Sequence, residues 1–439
     1  MDLGTRFFVK TAHCSALHGR HFGAGSGAPI VLLHASPMSS KALVPLAQAL
    51  IDADANLSVI AFDTPGFGHS SALSGLSAAP SLADFADTIL DALTQLGIEI
   101  TAIYGTATGA QIGIEIATRA PERISVLIAD GACHFEPQQL ENILANYFPS
   151  LQPVASGAHL TQAAEMARKL FEFFPWFETA EAYRLAGPVP EPLVLHKLAR
   201  AYLSASPSYD IAYLLAFENE RAEQMAKLRV NTWITRWPNS ILLRYTDALL
   251  AHTLPSNIQT LNLRAGSARY AEIAAHCAKQ LAGANAFQFK TPRVGELCIL
   301  QLAQGSAVMS TQIRGANALA LGELFLHLPG LGLGELYGDA AFGLTEWKLD
   351  NEALITNCLD DDSFGNLTAR LGKLTQLHQA LDGEAALAVL PGNIELLQTW
   401  QALTHNNLNG SDSPADLQVK LNGLLDLTHL KARLMGQII

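Results

Sequence analysis

Basic charge, paired cysteines and long apolar runs are the three things this chain has little of. Lys and Arg together number 28 against 40 Asp and Glu, giving a formal net charge of −12 and a pI near 5.6. Nucleic acid and anionic membrane surfaces are bound through basic patches, so neither is expected as a partner. The five cysteines, Cys14, Cys133, Cys277, Cys298 and Cys358, are odd in number, scattered and without a C-x-x-C pair. That spacing excludes a disulfide framework and reads as reduced thiols. Cys133 falls near the expected site mouth, but no base that would activate it is evident. No run of about 18 apolar residues occurs, and the first ten residues carry no signal-peptide core, so the expected location is cytoplasmic. What remains is a chain of 439 residues, 49% hydrophobic and 15% charged, able to bury a large core and long for one domain.

Residues 103–113 read Ile-Tyr-Gly-Thr-Ala-Thr-Gly-Ala-Gln-Ile-Gly. This is the spacing of a strand, a sharp turn and the start of a helix, with small residues at Gly105 and Gly109 and residue 107 presented at the turn. Such an elbow normally offers a serine hydroxyl; here it offers Ala107, whose methyl group cannot attack a carbonyl. The flanks support the reading. Pro29-Ile-Val-Leu-Leu-His34 is an apolar run leading into a small-residue loop, Ala35-Ser36-Pro37-Met38-Ser39-Ser40. A second run at 58–62 ends in Asp63-Thr64-Pro65-Gly66-Phe67-Gly68-His69-Ser70. Apolar residues at Leu82, Phe85, Ile89, Leu93 and Leu96 have helical spacing, and 124–129 forms another strand ending at Asp130-Gly131. Strands alternating with helices predict a parallel, doubly wound α/β sheet.

In this order the motifs resemble the α/β-hydrolase superfamily: the His34 loop, the Asp-x-Pro-Gly-x-Gly-x-Ser turn at 63–70, the elbow at 105–109 and the strand end Leu127-Ile-Ala-Asp-Gly131. The resemblance covers roughly residues 5–283. The form of the elbow, G-x-x-T-G-A with a non-serine centre, is similar to that of a poorly characterised group of hydrolase-like proteins. The resemblance implies a hydrolase core at 1–131 and 229–284 with a helical cap at 132–228. It also implies an acid after the strand that follows the cap and a histidine after the last strand. After 230–235 comes Arg236-Trp237-Pro238-Asn239, with no carboxylate before Asp247; after 258–263 the nearest histidine is His276, inside the next helix. All three triad positions read as vacated. A designed serine-to-alanine change is one explanation for Ala107, but it would leave the other two positions intact.

Asp130 keeps an alternative open, because some relatives place the acid at this strand end. It reads either as a carboxylate fixing the Gly131 turn or as an acid needing a histidine, for which His34 and His134 are the candidates. His34 in turn reads as either a chemical group or a loop-holding residue. Ala35, Ser36, Thr106 and Thr108 surround the elbow in sequence and are assigned to binding. The cap is rich in aromatic residues; most must form its core, while Phe173 to Phe177, Trp176 included, are favoured to line an apolar pocket with residue 107 at its floor. His159 is either a helix-capping residue or a ligand contact.

Residues 285–439 exceed the usual length of this fold. Leu324-Phe-Leu-His-Leu-Pro-Gly330 resembles Val31-Leu-Leu-His-Ala-Ser-Pro37, and 386–393 is similar to 102–108, so the region is read as an α/β extension, a degenerate and truncated second copy. Such a half-sheet would have to bury its apolar surface elsewhere. The loop Gly330-Leu-Gly-Leu-Gly334 lacks the basic residue of a phosphate loop, and Asp360-Asp-Asp-Ser363 reads as a solvated turn; no cofactor or metal is expected. Two functions remain. One is a catalytically degenerate protein that binds a small apolar or aromatic molecule, or acts as a homo-oligomer or as the partner of an active paralogue. The other is an enzyme using non-serine acid/base chemistry.

Overall fold

The apolar runs found in the sequence become the centre of one mixed sheet. The computed structural model describes residues 3–23, 26–205, 208–285, 287–290 and 292, with strands between 297 and 336 and helical positions between 400 and 421. The chain divides into two compact units: 3–152 with 162–292, and 153–161 with 293–439 and the first two residues.

In the larger unit the strands are β1 (Thr5–Val9), β2 (Leu17–Phe22), β3 (Ser26–Leu33), β4 (Leu57–Phe62), β5 (Thr101–Thr106), β6 (Ile124–Asp130), β7 (Thr232–Arg236), β8 (Ile258–Asn262) and β9 (Phe287–Gln288). Their order is β1-β2-β4-β3-β5-β6-β7-β8, with β9 pairing the start of β3. From β4 onward in that order the pairs are parallel, while β1-β2 and β2-β4 are antiparallel. The antiparallel pair β1-β2, which lies ahead of the first run recognised in sequence, extends the expected doubly wound sheet at one edge.

Helices α1 (Val44–Ala53), α2 (Leu82–Gln95), α3 (Thr108–Arg119), α9 (Leu243–Leu250) and α10 (Ala268–Gln280) accompany this sheet. Its cap contributes α4 (Pro137–Asn146), α5 (Ala158–Lys169), α6 (Pro192–Ala205), α7 (Ile211–Asn219) and the single turn α8 (Ala222–Met225). α2 shows why such segments are helical: the backbone N–H of Ser81 donates to Asp84 at the N-terminus (2.8 Å), and Leu82, Phe85, Ile89 and Leu93 form one buried stripe. On one face of the sheet Ile30, Leu32, Val59 and Ile128 pack in one cluster with Leu46 and Leu50 of α1 and Ile273 and Cys277 of α10. Each such side chain removed from water contributes about 1.5–3 kcal/mol. Ala102 and Tyr104 of β5, the strand that leads into the elbow, belong to the same cluster.

In the smaller unit β10 (Leu297–Leu302), β11 (Gly305–Ser310), β12 (Leu319–Leu321), β13 (Leu324–His327) and β14 (Glu335–Leu336) form a second sheet in which every described pair is antiparallel. Leu324–His327 is a strand, as its apolar run suggests, but its neighbours are β11 and β12, whereas Val31–Leu33 in β3 has parallel partners on both sides. The 330–334 loop, the 360–363 turn and the 386–393 segment lie outside the described residues. This unit also takes in 153–161 from the middle of the cap sequence.

Candidate functional site

At the C-terminal end of β5 the chain turns into α3 through Ala107, with φ 48° and ψ −113°. An L-residue there is strained, at a cost on the order of 1–3 kcal/mol. The turn is held by three backbone bonds: Ala107 N–H to Asp130 O (2.8 Å), and Ala110 and Gln111 N–H to Ala107 O (2.8 and 3.1 Å). Both glycines are required by close approach. A Cβ on Gly105 would lie 2.2 Å from Gly109 O, and one on Gly109 would lie 2.3 Å from Leu33 O. The elbow geometry is therefore complete, and its centre is a methyl group.

Beneath the cap lies a cavity of about 200 Å³. The small-residue loop 35–38, Ala107 and Thr108 line it from the sheet, and Leu170, Phe174, Tyr213, Phe217 and Glu220 line it from the cap, with Ile241 and Leu242 beside them. Of the residues assigned from sequence, Ala35, Ser36, Ala107 and Thr108 meet here, and the Ser36 N–H donates to Thr108 Oγ1 (3.3 Å).

His34 and Asp130 do not form a pair. His34 Nδ1 donates to Ala35 O (2.9 Å) and its Nε2 accepts the Thr64 N–H (2.9 Å). With both ring nitrogens spent on backbone, this buried imidazole ties its own loop to the 63–70 turn, and burial lowers its pKa, favouring the neutral ring. Asp130 accepts three hydrogen bonds, from Tyr104 Oη (2.6 Å), Thr235 Oγ1 (2.5 Å) and Trp237 Nε1 (3.0 Å). The indole N–H thus donates to this carboxylate where the enzyme reading needs an imidazole, and Arg269 stacks on the outer ring face, 4.3 Å from its centroid.

The remaining assignments separate from the cavity for identifiable reasons. Thr106 closes β5 opposite Asp130 and does not line it. His134 accepts the Ala222 N–H (3.1 Å) and packs against His252, at 4.3 Å between centroids. Trp176 spends its Nε1–H on Tyr147 O (3.1 Å) and belongs to the cap core, so of 173–177 only Phe174 reaches the cavity. His159 lies in the smaller unit, bonded to Gln418 Oε1 (2.7 Å) with its ring edge against Trp400. Asp247 is ion-paired to Arg236 (2.6 Å), and His276 packs on Trp233 at 4.3 Å between centroids. Cys133 is buried, its thiol bonded to Gly131 O (3.2 Å), and burial raises its pKa well above the ordinary value, which keeps it an unreactive thiol.

The sequence reading missed Glu220. It is 3% exposed, lines the cavity, and its Oε2 has no hydrogen-bond partner among the described residues. Burial pushes its carboxyl well above the usual carboxylate range. A glutamate between Asn219 and Arg221 reads as a solvated helix end, and no pattern in the chain separates it from one.

Residues 28–237 match the family model described as the alpha/beta hydrolase fold. This part of the chain belongs to the α/β-hydrolase superfamily. Similar solved structures include epoxide hydrolase A from Mycobacterium thermoresistibile (17% identity over 65% of this chain and 99% of that one, TM-score 0.46). A thermophilic esterase from Thermogutta terrifontis is also similar (18% identity, 64% and 98% coverage, TM-score 0.46). No curated protein matches the chain. No helix among the described residues is long and apolar enough to cross a membrane.

Proposed function

We propose that this chain is a catalytically degenerate member of its superfamily that binds a small, largely apolar molecule under the cap without forming a covalent intermediate. The observation that carries the reading is Ala107: the strained turn and both glycine approaches of an elbow are retained, while the group it would present is a methyl. An acyl-enzyme route needs an attacking oxygen or sulfur at that point. The retained cavity supports binding, since an elbow kept only for folding would not need an unfilled space above it. Enzymatic use of Asp130 with a histidine is disfavoured, because three donors already occupy that carboxylate and His34 has no nitrogen left for it. The buried thiols Cys14, Cys133 and Cys277 are unpaired, in keeping with a cytoplasmic location. A second copy of the chain or an active paralogue is the macromolecular partner this reading accommodates.

The test combines turnover and labelling. p-Nitrophenyl acetate should be hydrolysed no faster than by an inert protein, and a fluorophosphonate should leave the intact mass unchanged. Ala107→Ser alone should not create an efficient esterase, since base and acid remain missing. Stoichiometric labelling of Thr106 or Thr108, or turnover in the unmodified protein, would overturn the proposal.

A further inference from the structure

Several buried side-chain polar atoms lack a hydrogen bond among the described residues, and two of them, Ser36 Oγ and Glu220 Oε2, belong to residues that line the same cavity. They come from unrelated elements, the loop after β3 and the end of α7, and the wall between them is apolar. A buried polar atom left unpartnered costs about 1–3 kcal/mol, so two residues around one space that each carry such an atom mark the points at which a ligand would be read. We infer that the cavity takes a neutral one-ring molecule whose oxygen acceptor hydrogen-bonds the Glu220 carboxyl group, with Ser36 Oγ as a second polar contact. This rests on the binding reading above and names the ligand class for it.

Size, charge and hydrogen-bonding capacity each limit the ligand. A dry apolar cavity of about 150 Å³ accommodates benzene, so about 200 Å³ suits one ring with a short substituent and excludes most drug-sized molecules. Among the described residues no Lys, Arg or His lines the space, so an anionic ligand would be desolvated without a counter-ion. Burial raises the pKa of Glu220 and so favours the protonated form, which has an O–H to donate, and an acceptor on the ligand is what completes it. Of the other hydroxyls on the wall, Tyr213 already shares a hydrogen bond with Tyr147 (2.8 Å) and Thr108 accepts the Ser36 N–H. Phe174 and Phe217 supply the ring contacts.

Acetophenone and α-methylstyrene, in which a methylene replaces the carbonyl oxygen, form the decisive pair, with benzylamine and benzoate as charged controls. Binding to the full-length protein is measured by calorimetry or ligand-observed NMR. Acetophenone should bind at least about tenfold more tightly than α-methylstyrene. Glu220→Met should abolish the preference, Glu220→Gln, which keeps a donor, should retain most of it, and Ser36→Ala should reduce it. Equal binding of the two neutral compounds would overturn this inference while leaving a binding cavity. Binding of neither would overturn the binding reading and this inference with it. Tightest binding of benzylamine would mean that the carboxyl reads a cation, and would also overturn it.

Discussion

Glu220 should destabilise the protein in which it is buried, and replacing it should raise stability. Two effects add. Its Oε2 is buried without a partner, which costs about 1–3 kcal/mol relative to an apolar side chain of similar shape. Burial also raises its pKa in the folded state, so above pH about 4.5, the ordinary value for glutamate, the unfolded chain releases its proton first. The Glu220 contribution to stability then falls with rising pH until the folded-state pKa is reached, by about 1.4 kcal/mol per pH unit. Glu220→Met removes both effects. Near pH 4.5 the variant should gain only the first, about 1–3 kcal/mol, or roughly 2–12 °C in Tm at about 2–4 °C per kcal/mol for a unit of this size. Toward pH 8 its advantage should widen. Glu220→Gln, which keeps a buried polar head but cannot ionise, should show the pH-dependent part alone. Urea titrations of all three proteins at pH 5, 6.5 and 8 measure this directly. If Glu220→Met is no more stable than the parent at any pH, or its advantage does not grow with pH, the carboxyl is solvated or paired and the argument fails.

Three further outcomes follow from the same geometry. Ala107→Gly should be neutral or stabilising by up to about 1 kcal/mol in denaturant titration, because the turn's positive φ suits glycine; a loss above 1 kcal/mol would deny the strain. Asp130→Ala strands the Tyr104, Thr235 and Trp237 donors and should cost about 1–3 kcal/mol for each donor left buried and unsatisfied, read by calorimetry, whereas an unchanged melt would show that the network is dispensable. Acidification should destabilise the fold between pH 6.5 and 4. Burial lowers His18, His21 and His196 to about 4, so the unfolded chain takes up protons first. Their contribution is fully present above 6.5 and drains as pH falls toward 4, three groups outweighing the opposite slope of the single Glu220, and a flat stability profile over that window would contradict this.

The parts of the site that were legible in the sequence are those fixed by local chemistry. The elbow shows itself because Gly105 and Gly109 stand at fixed spacing around the turn, Gly105 forced by the nearby Gly109 O and Gly109 by Leu33 O at the end of β3, and the loop after β3 shows itself because an apolar run stops at a histidine. Neither reading open for Asp130 names the partners its carboxylate has, Tyr104, Thr235 and Trp237, and Trp237 as a donor lies 107 residues away and leaves no trace in local pattern. The cap misled for a related reason. Aromatic content identifies a core, but whether Trp176 faces a cavity or donates to Tyr147 depends on how separate helices meet. Glu220 was invisible because burial is a tertiary property: the same residue at the end of a solvated helix would read identically.

Phenyl acetate separates binding from catalysis in one molecule, since it is neutral, has one ring and carries both a readable carbonyl and a cleavable ester. Ligand-observed NMR on the full-length protein follows binding and cleavage in one sample. The account predicts saturable, reversible binding, competed by acetophenone, with the ester intact beyond its background hydrolysis in buffer. Release of phenol at a rate proportional to protein concentration, or an acetyl adduct in the intact mass, would contradict it.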